Sequence, residues 1–215
     1  IRERKKWADL DKSDNYAVNK AILVNSTDIR KSNSAAMYLS LASYVANNNS
    51  VVKNDAEVTG VLDFVEGIYL RQGFVEYSSA APFQDYLVMG VGKAPLVMIY
   101  EAQFLYEKAN PQSAIQPEMV LMYPTPTLFT KHIFVPFNEA GEKLGELLET
   151  DPELQLLAIE HGFRNSNSAG FKQFVNKNKL PVPDVFVDVV EPPSYEILES
   201  MIRHIEQKYR DYSSQ

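Results

Sequence analysis

The chain has 215 residues, 45% of them hydrophobic and 23% charged, which is long enough to bury a core and ordinary for a folded protein. A net charge of −7 disfavours a general nucleic-acid or anionic-membrane partner, because no broad basic field exists to attract phosphates. The absence of cysteine excludes disulfides, thiolate catalysis and cysteine-ligated metal, and no apolar run reaches the ~18 residues needed to span a bilayer.

Residues 1–19 are polar and aperiodic and read as a lead-in, with the basic run Arg2 to Lys6 as a solvated tail and Trp7 as the one apolar anchor. No signal peptide is visible and the first residue is Ile, so a fragment with a targeting segment upstream is expected. Ala21 to Val24 reads as a short buried strand, and Asn25 to Ser34 as a polar, hydroxyl-rich loop. A helix then spans roughly 35–47, with Ser32 or Ser34 as N-cap and Met37, Leu41, Tyr44 and Val45 as its core-facing stripe. A loop of this kind at a helix N-terminus gathers backbone N–H groups, hydroxyls and the positive end of the helix dipole, which suits a small anion or a carboxylate; a plain capped helix is the equal alternative.

Apolar residues at 61, 64, 65, 68 and 69 predict a helix from Gly60 to Arg71 that stops near Gly73. Ser78 to Met89 reads as a short helix, Gly90 to Pro95 as a turn, and Leu96 to Tyr100 as a second strand with Glu101 and Gln103 at its exit. Met119 to Tyr123 and His132 to Val135 read as further strands, separated by the helix-denying run Pro124-Thr-Pro-Thr127. Asn138 caps a helix to about Glu149 with Leu144, Leu147 and Leu148 inward, and Asp151-Pro152 opens another that ends at His161 and Gly162. A short helix at 169–177, a strand from Val185 to Val190 and a terminal helix capped by Ser194 complete the chain. Strands alternating with helices predict an α/β fold.

Catalytic patterns are poor. His132, His161 and His204 are the only histidines, and none has a metal-type partner three or four residues away. Neither a Gly-x-Ser-x-Gly nor a phosphate-loop pattern occurs. Asp63 and Glu66, three apart on one helix, read as a solvated face. No catalytic residue, metal or cofactor is therefore expected.

Ser26-Thr-Asp-Ile-Arg-Lys-Ser-Asn-Ser-Ala-Ala-Met-Tyr-Leu39 resembles the ligand loop and helix of bacterial extracellular solute-binding proteins of the type II periplasmic class, in its molybdate- and sulfate-binder-like subgroup. Pro95 to Phe104 and Met119 to Thr127 resemble that class's two later cleft strands, and Glu139 to Leu148 through Arg164 its closing helices. The resemblance covers roughly residues 20–165. It implies two α/β lobes with mixed sheets and an interlobe cleft: a linker at 1–19, lobe II at 20–118, and the returning part of lobe I with the C-terminal helix at 119–215. The N-terminal half of lobe I would be missing.

The function so implied is capture of a small polar or anionic solute by hinge closure and its delivery to the permease of an ABC-type membrane transporter. The protein would be an extracytoplasmic monomer, lipid-anchored through a segment outside this chain. Carried over by position, Thr27, Asp28, Ser32, Ser34 and Ala35, with Ala36 beside it, would line one wall of the cleft. Tyr100, Glu101 and Gln103 would stand at the exit of the next cleft strand, Tyr123, Thr125 and Thr127 on the return strand and its loop, and Lys131 could balance an anion. Two acids in one cleft repel a bare dianion, so an amino acid or a metal-bearing solute would fit Asp28 and Glu101 better than molybdate or sulfate. Each acid also has a plainer reading: Asp28 as a turn residue bonding its own backbone, Glu101 as half of an ion pair. Tyr100 and Tyr123 also have a plainer reading, as core or hinge residues. An enzyme on the same fold, or a sensor or protein-contact domain, is the alternative.

Overall fold

The computed structural model describes residues 3–11, 14, 16, 18–73, 75–183 and 188–213. Among these, eight α-helices carry the regular structure: α1 (Asn33–Ala46), α2 (Asp55–Tyr69), α3 (Ala80–Met89), α4 (Glu101–Ala109), α5 (Glu139–Thr150), α6 (Pro152–Glu160), α7 (Ser168–Asn178) and α8 (Tyr195–Ser213). β pairing among the described residues amounts to three isolated bridges: Lys6 with Ala21, Asn25 with Val97, and Thr127 with Val189. The expected α/β architecture of two sheet-bearing lobes around a cleft is thereby overturned. The runs 21–24, 96–100, 119–123 and 132–135 form no ladder. An apolar run of four or five residues does not specify its partner, and Pro95, Pro124 and Pro136 each remove a donor beside such a run. Residues 185–187 of the strand expected at 185–190 lie outside the described residues, and Val189 makes only the isolated bridge to Thr127.

Two compact units are present: Ile1–Met98 with Val190–Gln215, and Ile99–Val189. The division drawn from sequence at 19/20 and 118/119 sets its boundaries elsewhere. In particular, the C-terminal helix belongs to the first unit.

The first unit is organised by α1, α2 and α8. Asn54 caps α2 by accepting the Glu57 N–H, so the helix begins five residues before its predicted start at Gly60. Val58, Val61, Val65, Ile68 and Tyr69 are buried along it, and Met201 and Ile205 of α8 are fully buried in the same cluster. Each such side chain contributes about 1.5–3 kcal/mol relative to exposure. The core face of α1 is Ala35, Leu39 and Ala42; of the predicted stripe Leu41 is buried, Met37 and Tyr44 are half-buried, and Val45 is 53% exposed. Two alanines allow close approach of neighbouring helices. Buried Ser40 and Ser43 are tolerated because their hydroxyls donate to the carbonyls of Ala36 (2.9 Å) and Ser40 (3.0 Å). A relay of hydrogen bonds ties the three helices: the Tyr209 hydroxyl donates to the Tyr69 carbonyl (2.9 Å), and the Tyr69 hydroxyl to the Ala35 carbonyl (2.7 Å). Burial pushes the Tyr69 phenol well above its ordinary pKa, and that of Tyr38 up to about 12.

In the second unit, Asn138 and Asp151 cap α5 and α6 as expected, with Pro152 at the first helical position. Glu101 and Gln103, read as the exit of a strand, instead lie in the first turn of α4. Phe104, Leu105, Ile115, Ile159 and Phe171 are buried. The leucines predicted to point inward from α5 do not reach a core: Leu144, Leu147 and Leu148 are 40–47% exposed. An apolar stripe forms with the helix, but its burial requires a neighbour. Here α6 packs on α5 and the Phe134 ring lies against Gly145, yet the three leucines stay partly exposed.

Candidate functional site

The ten residues singled out from sequence divide between the units, five in each. In the first, Thr27, Asp28, Ser32, Ser34 and Ala35 belong to one loop and the first turn of α1. Backbone bonds hold that loop: Asn25 N–H to the Leu96 carbonyl (2.8 Å), Met98 N–H to the Asn25 carbonyl (2.7 Å) and Asp28 N–H to the Glu76 carbonyl (2.9 Å). The Gln72 side-chain oxygen accepts the Ser26 N–H at 2.8 Å.

Three hydroxyls close into a ring inside the loop. Thr27 donates to Ser32 (2.7 Å), Ser32 lies 3.0 Å from Ser34, and Ser34 lies 2.7 Å from Thr27. A hydroxyl has one proton to give, so a closed ring of three spends every donor internally. Thr27 is 1% exposed and Ser34 is 6% exposed, and Ala35, at 0%, is sealed beneath them. The inner face of the loop is a brace.

Asp28, 2% exposed, also turns inward. Its Oδ1 accepts the Arg30 N–H (2.9 Å), as in an Asx turn, and its carboxylate takes the Arg30 guanidinium through Nε (2.8 Å) and Nη2. Burial pushes the Asp28 carboxyl up, but the Arg30 side-chain and backbone hydrogen bonds outweigh this and hold it below its ordinary range. The same pairing raises the Arg30 pKa, and the guanidinium lies 5.1 Å from the centre of the Tyr209 ring.

The outer face of the loop is different. Ile29, Arg30 and Lys31 form one wall of an open cleft of about 370 Å³, with Tyr77 and the α8 residues Glu199, Ile202, Arg203 and Glu206 as the others. The four α8 residues recur at i, i+3, i+4 and i+7, one helical face. Arg30 is neutralised by Asp28, and Glu206 by Arg210 at 2.8 Å. The Lys31 ammonium lies 4.9 Å from the centre of the Tyr77 ring, and Arg203 Nε donates to the Glu199 carbonyl (3.3 Å). Lys31, Arg203 and Glu199 form no salt bridge among the described residues. Sequence reading missed this cleft. The available signal was the charged i, i+4, i+7 series on α8 opposite the adjacent Arg30-Lys31.

In the second unit Glu101 and Tyr123 do come together, around a residue not singled out from sequence. Arg164 donates to Glu101 in a fork, Nε to Oε2 at 2.7 Å and Nη2 to Oε1 at 2.8 Å, and the Tyr123 hydroxyl donates to Oε1 at 2.7 Å. Arg164 also lies 4.5 Å from the centre of the Phe171 ring. Desolvation first, and the bond to Glu101 second, push the Tyr123 phenol up, while the pairing raises Arg164. Tyr100 caps α4, where its N–H donates to the Gln103 side chain (3.0 Å). Thr125 is exposed and precedes Pro126 through a cis bond, and the Thr127 N–H donates to the Asp188 carbonyl (2.8 Å). Lys131 is exposed. These contacts join α4, the 123–127 segment and the end of α6 to one another.

The histidines are dispersed among aromatic and backbone contacts: His161 stacks on Tyr106 at 4.9 Å, His132 meets Phe163 edge-on at 5.3 Å, and His204 Nδ1 lies 2.7 Å from the Ser200 carbonyl. Among the described residues no group of three His, Asp or Glu side chains could hold a metal ion, and no helix is long and apolar enough to cross a membrane. No family model matches the chain, and no curated protein or solved structure matches it either.

Proposed function

We propose that the chain is a binding protein for a small, charged, water-soluble solute, which it takes up in the cleft between the outer face of the Ile29–Lys31 turn and α8. The observation that carries this reading is the composition of that cleft. Two cations and one carboxylate that are not spent on salt bridges line a space of about 370 Å³ together with the half-buried Ile202 and the edge of the buried Ile29. Ligand sites combine such apolar surface with a few polar groups that fix orientation. Delivery to a membrane permease, and a place outside the cytoplasm, belong to the sequence resemblance and enter the proposal on that ground alone.

The test is a thermal-shift screen of the whole chain against inorganic phosphate, small carboxylates, amines and amino acids, repeated with Lys31→Met. Ligands should raise the unfolding midpoint by mass action in the parent chain and act more weakly in the variant. A screen without any response, or hits indifferent to Lys31, would remove the cleft from consideration.

A further inference from the structure

We infer that the solute is an acidic amino acid, oriented with its carboxylates on Lys31 and Arg203 and its ammonium on Glu199; this rests on the solute-binding reading above. The argument is one of charge placement. Of the charged groups lining the cleft, Arg30 is matched by Asp28 and Glu206 by Arg210. What remains is Lys31, Arg203 and Glu199, two positive groups and one negative. The complementary ligand carries two negative groups and one positive, which is the charge pattern of a dicarboxylic α-amino acid at neutral pH.

Simpler ions fit worse. A bare dianion would satisfy the cations but sit against the Glu199 carboxylate, and a bare amine would satisfy Glu199 but meet Lys31 and Arg203. The geometry of the walls supports one orientation. Arg203 and Glu199 are one turn apart on α8, so their side chains are neighbours along the helix. Lys31 approaches from the opposing loop, its ammonium held over the Tyr77 ring. A ligand whose ammonium and carboxylate lie on adjacent atoms can meet Glu199 and Arg203 together and leave its second carboxylate for Lys31. Its short methylene chain would lie against Ile202, which is half-buried.

Isothermal titration of the whole chain with L-glutamate, L-glutamine, N-acetyl-L-glutamate and glutarate decides the matter. L-Glutamate should bind most tightly. Losing the ammonium (N-acetyl-L-glutamate, glutarate) or the second charge (L-glutamine) should weaken it by about tenfold or more, the scale of one lost charge-assisted contact. Glu199→Gln should abolish the preference for L-glutamate over glutarate, and Lys31→Met should abolish the preference over L-glutamine. Both side chains lie at the surface of their elements, and the fluorescence of Trp7 checks that each variant is folded. Glutarate binding as tightly as L-glutamate would overturn the amino-acid assignment and leave the cleft as a site for small anions. Failure of all four, together with phosphate, would overturn both.

Discussion

Replacing Thr27 with valine separates a structural brace from a ligand contact. The substitution keeps the side-chain shape and deletes the hydroxyl that makes two 2.7 Å contacts, to Ser32 and Ser34. Each intramolecular hydrogen bond has a net worth of about 1 kcal/mol, so the direct loss is about 2 kcal/mol. The extra methyl, in a site 1% exposed, returns up to ~0.8 kcal/mol. Ser32 and Ser34 remain within 3.0 Å of one another, and the half-buried Ser32 can turn its surplus valence to water. The balance is a destabilisation of about 1–2 kcal/mol. Urea unfolding should be followed by the fluorescence of Trp7, the single tryptophan and a reporter of the first unit. With a slope of about 1–3 kcal/mol/M, the midpoint should fall by roughly 0.5–1 M at unchanged slope. An unchanged midpoint would mean that the hydroxyl ring does not hold the loop. Unchanged stability with lost solute binding would make Thr27 a ligand donor and refute the assignment of the inner face as a brace.

Two other perturbations follow from the same geometry. Arg30→Ala strands the buried Asp28 carboxylate and should cost about 1.5–3 kcal/mol, toward the lower end because the Arg30 side chain is 40% exposed. The pKa of Asp28 is lower folded than unfolded, so the pair's stabilisation is present above pH about 4 and is lost as pH falls through the depressed folded value. The gap between parent and variant urea midpoints, read by Trp7, should therefore be full above pH about 4 and close as pH falls below it, and a gap that does not change with pH would refute the pairing. Gly162 has φ +83°, and a Cβ there would lie 2.8 Å from the Ala102 Cα and closer still to its carbonyl. Gly162→Ala should cost about 2 kcal/mol or more from the left-handed backbone and the clash together, measured as a lower midpoint of the helical circular-dichroism signal. An unshifted midpoint would show that α4 and the end of α6 do not meet.

The two plainer readings of the acids have geometric counterparts. Asp28 bonds the backbone two residues on, and Glu101 is ion-paired with Arg164. Arg164 was visible only as part of the stop after α6, because nothing in a linear order places it beside a glutamate 63 positions earlier. The same limit hid the cleft, whose walls come from residues 29–31 and from a helix beginning at Tyr195.

Local chemistry alone determined the helices that begin at Asn138, Asp151 and Ser194, since a side-chain oxygen, a proline at the first position and an apolar period act within a few residues of one another. It also placed Gly73 and Gly162, both at positive φ, where chain reversal requires them. Only the tertiary structure decided that the four apolar runs would form no ladder, that α1 would bury Ala35, Leu39 and Ala42 beside Leu41 and leave Val45 exposed, and that the α5 leucines would remain half exposed. Strand pairing and burial are properties of two segments at once. A sequence states what each segment can offer a partner, and the partner is chosen by the packing of the whole.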